Sequence, residues 1–599
     1  MYATKPKQLI HTFKITMSNK YYSAERAAQI LISLLKAHNI NRVIASPGTT
    51  NLSFVGSIQN DPFFEIYSAA DERSAAYMAC GMAAEDGKPV VLSCTGATAS
   101  RNYLPALTEA FYRKLPILAV TANSGLSNNG HLVAQYIDRT ALPNDVAKIS
   151  VTVPAVTDEK SAWAANVDIN KAILELNRNG GGPTHINFSN QYYSDFSITK
   201  LPKERKIKRI TDNDVFPPLP NVKTAVFIGS HSPMDDELTQ AIDDFCKLHN
   251  AVTICDITSG YNGQFRVPSA LIMGQGGQKS LRDIELLVHI GEICGDYYSI
   301  GCAPKKVWRV SEDGEIRDFF HRLEYVFDMR EIDFFKRYAV GNSTNDSFLK
   351  DCMSEAEEIY GKIPELPFSN IWIAKNSISK IPQGASFHLG ILNSLRSWNF
   401  FAYQNPNINT FCNVGGFGID GILSTVIGAS MVKPDKKFFC VVGDLAFFYD
   451  LNSLANRHVG ANLRIMLINN GKGTEFTNYG HLGHAFGEDA DPFIAAAGHY
   501  GNKSKELIKH YATDLGFEYL SAATKEEYLF SAQRFFSKEN LSKSIIFEIF
   551  TDSKDESQAL EIMLNLSPAP KDSKATLKKA ISNVLGDKGL RIAKILREK

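Results

Sequence analysis

The chain reads as an α/β protein built from three parallel-sheet domains, and three observations predict this. Strand-like apolar runs alternate with helix-like runs from one end to the other. Two charged or proline-rich breaks, at 200–223 and 361–370, cut the 599 residues into segments of ordinary domain size. In the last segment the apolar runs 438–442 and 463–468 stop at Gly443-Asp444-Leu445 and at Asn469-Asn470. Two buried parallel strands ending this way set Asp444 and Asn470 side by side at one sheet edge, where open α/β sheets bind ligands. The expected domains are 20–198, 222–358 and 371–567, followed by a basic helical tail at 568–599.

The bulk numbers exclude several classes. Lysine plus arginine (64) equals aspartate plus glutamate (64), which leaves no electrostatic footprint for nucleic acid. Nine cysteines contain no CxxC pair, so neither a zinc site nor a disulfide framework is expected. No apolar run reaches membrane-spanning length, and the basic first residues lack the apolar core of a signal peptide. A reduced, cytoplasmic protein is the expectation. Met17 is an alternative start to Met1.

In the first segment a helix at 24–38 precedes a strand at 42–45, which runs into Ser46-Pro47-Gly48. A strand at 66–70 leads to Asp71-Glu72-Arg73 and a small-residue helix at 74–84. The strand 89–93 enters the loop Cys94-Thr95-Gly96-Ala97-Thr98. The middle segment opens with a strand at 225–229 and has Rossmann-like rhythm but no GxGxxG, so no dinucleotide is expected there. Its Gly274-Gln275-Gly276-Gly277-Gln278-Lys279-Ser280 lacks the glycine before the lysine and is read as an ordinary loop. In the last segment a carboxylate and an amide oxygen, Asp444 and Asn470, suit a hard cation such as Mg²⁺, which also seeks phosphate oxygens. The tail places Leu585, Leu590, Ile592, Ile595 and Leu596 at helical spacing, read as a solvated or partner-docked helix.

Together these stretches resemble the thiamine diphosphate (ThDP) enzymes, and within them the SEPHCHC synthase family of menaquinone synthesis. The likeness is carried by Ser46-Pro47-Gly48, Asp71-Glu72-Arg73-Ser74-Ala75-Ala76, Cys94-Thr95-Gly96, Gly418-Ile419-Asp420-Gly421 and Gly443-Asp444-Leu445 with Asn470. The resemblance implies a pyrimidine-binding, a central and a diphosphate-binding domain. It implies a homodimer or homotetramer in which one chain grips the metal end of ThDP and its partner supplies the glutamate. Glu72 matches the glutamate that bonds the pyrimidine ring nitrogen. Ile419 matches the residue under the bent cofactor, with carbonyls near Phe417 and Gly418 accepting from its amine. Asp444, Asn470 and the Lys472 carbonyl match the Mg²⁺ ligands, and Gly443 with the N–H groups of Leu445 and Ala446 the diphosphate cradle. Ser46, Pro47, Gly48, Thr95, Gln135, Asn393 and Ser394 are expected around the cofactor and the reacting carbon. Gln135 is a hydrogen-bond donor, and His481 and His484 are proton donors.

The substrate side departs from that family. Its Ser-Arg-Ser is here Thr49-Thr50-Asn51, its Asp-Arg-Pro is Asn123-Ser124-Gly125, its Asn-Arg-Gly is Asn413-Val414-Gly415, and its Gly-x-Arg is Gly291-Glu292-Ile293. Arg396 is the one local replacement found. Bidentate guanidinium pairing is what carboxylate recognition uses. A kept cofactor site and a changed clamp imply a carboligase that decarboxylates a 2-oxo acid and adds the resulting enamine to a different, less acidic acceptor. Simple decarboxylation to an aldehyde, carbon–carbon hydrolysis and a non-catalytic ThDP-binding protein are the alternatives.

Overall fold

The computed structural model describes residues 21–190, 194–341, 345–499 and 503–569. The alternative start at Met17 and the helical reading of the tail beyond 569 lie outside the described residues. Two compact units partition the chain. One runs to Arg209 and takes in Ile316–Val326; the other holds Ile210–Glu315 and the chain from Phe327 onward.

There are three six-stranded sheets. The first contains β1 (Arg42–Ala45), β2 (Glu65–Ser68), β3 (Val90–Cys94), β4 (Ile117–Asn123), β5 (Ser150–Val153) and β6 (Thr184–Ser189), in the order 2-1-3-4-6-5. The second contains β7 (Lys208–Ile210), β8 (Thr224–Ile228), β9 (Val252–Cys255), β10 (Leu286–Ile290), β11 (Lys306–Ser311) and β12 (Leu323–Asp328), in the order 7-12-11-10-8-9. The third contains β13 (Ser386–Leu389), β14 (Asn409–Cys412), β15 (Phe438–Gly443), β16 (Leu463–Asn469), β17 (Glu518–Ala522) and β18 (Ile545–Phe550), in the order 14-13-15-16-18-17. The sheets are parallel, with helices in the crossovers. The first and third sheets share one strand order, offset by twelve strands.

Parallel strands covered on both faces read as continuous apolar runs, and β3, β4 and β6 are buried at every position. Two clusters flank the first sheet. One packs Ile30, Leu31 and Leu34 against Val43, Leu118 and Ile186; the other packs Ala75, Ala79 and Ala106 against Leu92 and Ile117. The alanines explain the small-residue helix: Glu72–Asp86 lies close to its neighbours because its inner face is short.

Helix starts follow side-chain caps. Asp71 caps Glu72–Asp86, Asp158 and Ser161 form a capping box on Glu159–Glu175, and Asp552 caps Ser553–Leu564. The loop 274–280 is a docking element within its unit. Its Lys279 and Ser280 N–H groups both donate to the Glu355 carboxylate at 2.7 Å, and Gly277 N donates to Ser567 O at 2.8 Å. These donors are committed to protein oxygens, consistent with the ordinary-loop reading.

Candidate active site

In the third sheet β15 and β16 are neighbours in parallel register, Gly443 opposite Ile468. The next residues therefore leave the sheet side by side. The Asp444 carboxylate accepts from Leu445 N through Oδ1 and from Gly471 N through Oδ2, both at 2.7 Å. Burial pushes its pKa up to about 6, against the pull of these N–H groups. Beside it Asn470 Oδ1 is buried without a hydrogen-bond partner among the described residues. An orphaned amide oxygen next to a desolvated carboxylate is the chemistry a hard divalent cation satisfies. The Lys472 carbonyl follows, accepting from Thr474 N at 2.8 Å and from Thr474 Oγ1 at 3.5 Å, while Lys472 Nζ pairs with Asp491 at 2.6 Å. Of the expected cradle, Leu445 N is engaged by Asp444, and Ala446 is buried at the start of the Asp444–Tyr449 helix, just after Gly443.

Asn393 and Ser394 open the helix Asn393–Asn399, introduced by Leu392 at φ 71° and ψ −118°. Behind them lies a buried polar network. Asn370 Nδ2 donates to Ser394 Oγ at 3.4 Å, Trp398 Nε1 donates to Asn370 Oδ1 at 3.1 Å, and Asn370 N donates to the Glu556 carboxyl at 3.0 Å. Glu556 also bonds Asn393 and Thr551, and burial pushes its pKa up to about 7. Arg396 is ion-paired: Nη1 donates to Glu475, both side chains are largely buried, and the guanidinium stacks 3.9 Å over Tyr297. Tyr297 in turn stacks on Phe417 at 6.2 Å.

Phe417 itself has φ 55°. Gly418 follows, where an added Cβ would lie 2.3 Å from Asp420 Oδ1, and Ile419 is half-buried against the cluster of Ile422, Val442 and Phe447. His481 is half-buried and His484 is exposed. His481 Nδ1 accepts from Gly483 N at 3.0 Å as a helix cap, and His484 Nδ1 lies 2.8 Å from the Thr477 carbonyl. When His484 donates there, its Nε2 is left free to exchange a proton.

In the first sheet, loops at the C-terminal ends of β1, β3 and β4 converge. Thr50 Oγ1 lies 2.5 Å from Thr95 Oγ1 and donates to Ala122 O at 3.0 Å. Gly48 is required there, since a Cβ would stand 2.6 Å from Thr95 Cβ. Asn51 Nδ2 donates to Ser46 O at 3.1 Å, tying down the Ser46-Pro47-Gly48 turn. Glu72 is the first residue of its helix, capped by Asp71, and its half-buried carboxylate accepts from Asn102 Nδ2 at 3.2 Å. Gln135 is exposed on an irregular segment at φ 71°.

Sequence reasoning missed three contributors. Asn102 lies in a motif that was noticed, but its contact with Glu72 has no local signal. Asn370 and Glu556 meet across 186 residues. Ala97, Gln135, Leu392 and Phe417 have φ above 50° without being glycine, and each is or nearly adjoins a predicted site residue, but Asn39, Lys114, Asp283 and His321 share that conformation away from it.

Residues 25–142 match the family described as thiamine pyrophosphate enzyme, N-terminal TPP binding domain. The chain is 29% identical to the 2-succinyl-5-enolpyruvyl-6-hydroxy-3-cyclohexene-1-carboxylate (SEPHCHC) synthase of Phocaeicola vulgatus, over 90% of this chain and 98% of that protein. It is 28% identical to the synthase of Flavobacterium psychrophilum, over 88% and 96%. With that of Porphyromonas gingivalis it shares 25% over 90% and 97%. No helix among the described residues is long and apolar enough to cross a membrane. The chain is thus a thiamine-diphosphate-dependent enzyme, similar over most of its length to the SEPHCHC synthases.

Proposed function

We propose that this enzyme is a Mg²⁺- and ThDP-dependent carboligase, which decarboxylates a 2-oxo acid and transfers the shortened carbon unit to a second substrate. The observation that carries the metal-bound diphosphate is the orphaned Asn470 oxygen beside the buried Asp444 carboxylate. When bound, ThDP supplies the nucleophilic carbon and the electron sink that decarboxylation needs. Asp444, Asn470 and the Lys472 carbonyl would hold Mg²⁺, and the cation would keep Asp444 ionised at neutral pH. Glu72 would hold and return a proton at the pyrimidine end, with Asn102 fixing its carboxyl. Ile419 would set the cofactor's bend. Gln135 would donate to a developing oxyanion, and His481 and His484 would deliver protons as the product leaves.

The relatives' name describes a product with a succinyl group on a carboxylated ring. A succinyl group delivered with loss of CO₂ derives from a five-carbon 2-oxo diacid, which makes that diacid the first donor to test. The acceptor is expected to be less acidic, because Thr49-Thr50-Asn51, Asn123-Ser124-Gly125 and Asn413-Val414-Gly415 carry no cation. A homodimer is part of this reading. The helix Glu72–Asp86 exposes Tyr77 and Met78 beside the open Gly81, and Ile422–Val432 exposes Met431 and Val432 beside the open Gly428. Such apolar faces with small residues suit close helix packing between copies.

Glu72→Gln tests the assignment. Gln retains the acceptor for Asn102, so Tm should move little, while CO₂ release from an active 2-oxo acid should fall about a hundredfold or more. Unchanged turnover overturns the reading. Product analysis with and without candidate acceptors separates carboligation from simple decarboxylation.

A further inference from the structure

Asp450 closes the six-residue helix Asp444–Tyr449, at the opposite end from the Asp444 carboxylate. It is 7% exposed. Its carboxylate meets no cation among the described residues and engages one residue instead: Oδ2 accepts from Ser424 N and Oδ1 from Ser424 Oγ, both at 2.5 Å. Ser424 lies in the first turn of the helix Ile422–Val432, whose capping position is Gly421 at φ 109°. A glycine offers no side chain to the free N–H groups of a first turn. Asp450 supplies that cap from 26 residues away, and its negative charge suits the positive end of the helix.

The cap matters because of what precedes that helix. Phe417 stands at φ 55°, and an added Cβ at Gly415, Gly416 or Gly421 would meet nothing within 4 Å. These glycines are held by no packing of their own. Ile419 packs on the core and Phe417 on Tyr297, while two side-chain bonds tie the backbone at the first helical turn. One runs from Asn413 Nδ2 to Thr425 Oγ1 at 3.1 Å and is exposed; the other is the doubled, part-buried and charge-assisted bond of Ser424 to Asp450.

A helix of six residues is about 9 Å long. Asp444 at its start is an expected metal ligand, and Asp450 at its end holds the turn that carries Phe417, Gly418 and Ile419. Phe447, in the middle of the same helix, is 0% exposed and lies in the cluster that also receives Ile419 and Ile422. We infer that Asp450 is a positioning residue of this enzyme: acting through Ser424, it sets the Phe417–Ile419 turn at a fixed distance from Asp444. One short helix thereby spaces the metal end of the cofactor site from the end where the cofactor bends. The inference rests on the proposed ThDP-dependent function.

The test uses the full chain. ThDP and Mg²⁺ binding by the wild type is measured first by calorimetry; its absence sinks the proposed function, and this inference with it. Asp450→Asn keeps the shape of the side chain, but its amide offers one acceptor where two donors converge. In the ligand-free variant, amide hydrogen exchange across 415–424 should speed up about tenfold or more, while Tm falls by no more than about 3 °C. The variant should bind ThDP and Mg²⁺ within about threefold of wild type, because Asp444 and Asn470 are untouched. The reactive carbon of bound ThDP should nevertheless exchange its proton with heavy water about thirtyfold more slowly, or slower still. Ser424→Ala keeps the N–H bond and removes the hydroxyl one; it should show the same pattern at about three- to fivefold, and it decides the matter should Asp450→Asn fail to fold. A cap with a purely structural role gives the opposite split, a lowered Tm with normal proton exchange in the loaded enzyme. Unchanged amide exchange at 415–424, normal proton exchange of bound ThDP, or cofactor binding lost in step with that exchange overturns the inference.

Discussion

Replacing Glu556 by Gln removes a buried charge while leaving in place the corner it holds together. Glu556 is 2% exposed, and its carboxyl accepts from Asn370 N at 3.0 Å and from Thr551 Oγ1 at 2.8 Å, besides bonding Asn393. Burial raises its pKa from an ordinary 4.5 to about 7 against the pull of those donors. A carboxyl that ionises later in the folded chain than in the unfolded one holds its proton more firmly when folded. No penalty exists below the unfolded value. The penalty grows as pH climbs from 4.5 towards about 7 and levels off above. The gap between the two values corresponds to about 3 kcal/mol, of which about 2 kcal/mol accrues between pH 5.5 and 8. The Gln variant carries no such term. Scanning calorimetry of both proteins should therefore show the wild type losing about 2–3 °C relative to the variant between pH 5.5 and 8. A Tm difference that stays constant with pH, or moves in favour of the wild type, refutes the assignment of Glu556 as a strained, proton-holding support of Asn393 and Ser394.

Two other perturbations test the metal end and the assembly. Asn470→Ala removes an oxygen that has no partner among the described residues, so apo Tm should be unchanged or slightly higher; Mg²⁺-dependent ThDP binding, measured by fluorescence quenching, should weaken about tenfold or more. Met78→Asp places a charge on the exposed face of the Glu72–Asp86 helix, and it should convert a sedimenting dimer to monomer with loss of turnover; a monomeric wild type, or a dimeric and active variant, removes the shared-site arrangement.

Much of the architecture was legible because the strands are short apolar runs that end at polar loops. Asp444 and Asn470 could be placed together from two strand ends alone, and the parallel register of β15 and β16 puts them there. Glu72 was read at a strand end; Asp71 captures the N–H groups of Arg73 and Ser74, so the helix begins four residues after β2 ends. What local pattern cannot carry is pairing at a distance. Arg396 looked like a free substrate cation until Glu475, 79 residues on, took its charge. The buried Arg139 carried no signal at all, because it lies in an irregular stretch where no periodicity distinguishes a buried side chain from an exposed one.

The common strand order of the first and third sheets explains why each half of the site sits where it does. With the offset of twelve strands, β2 corresponds to β14, β3 to β15 and β4 to β16. Glu72 follows β2, and the Phe417–Ile419 turn follows β14. Thr95 follows β3, and Asp444 follows β15. Ser124 follows β4, and Asn470 follows β16. The same sheet edge is thus used in both domains, as expected where parallel strands deliver loops to one end and crossover helices occupy the faces. One copy of the framework carries the Glu72 carboxylate, bonded to Asn102, and the Arg139 guanidinium, whose Nη1 has no partner among the described residues. The other carries a carboxylate and an amide oxygen suited to a cation. Neither set alone contains both the groups that would anchor a diphosphate and the group that would activate the ring attached to it. On the proposed ThDP chemistry, a first-sheet edge of one copy would meet a third-sheet edge of another across a shared ligand, and assembly would then be a condition of activity.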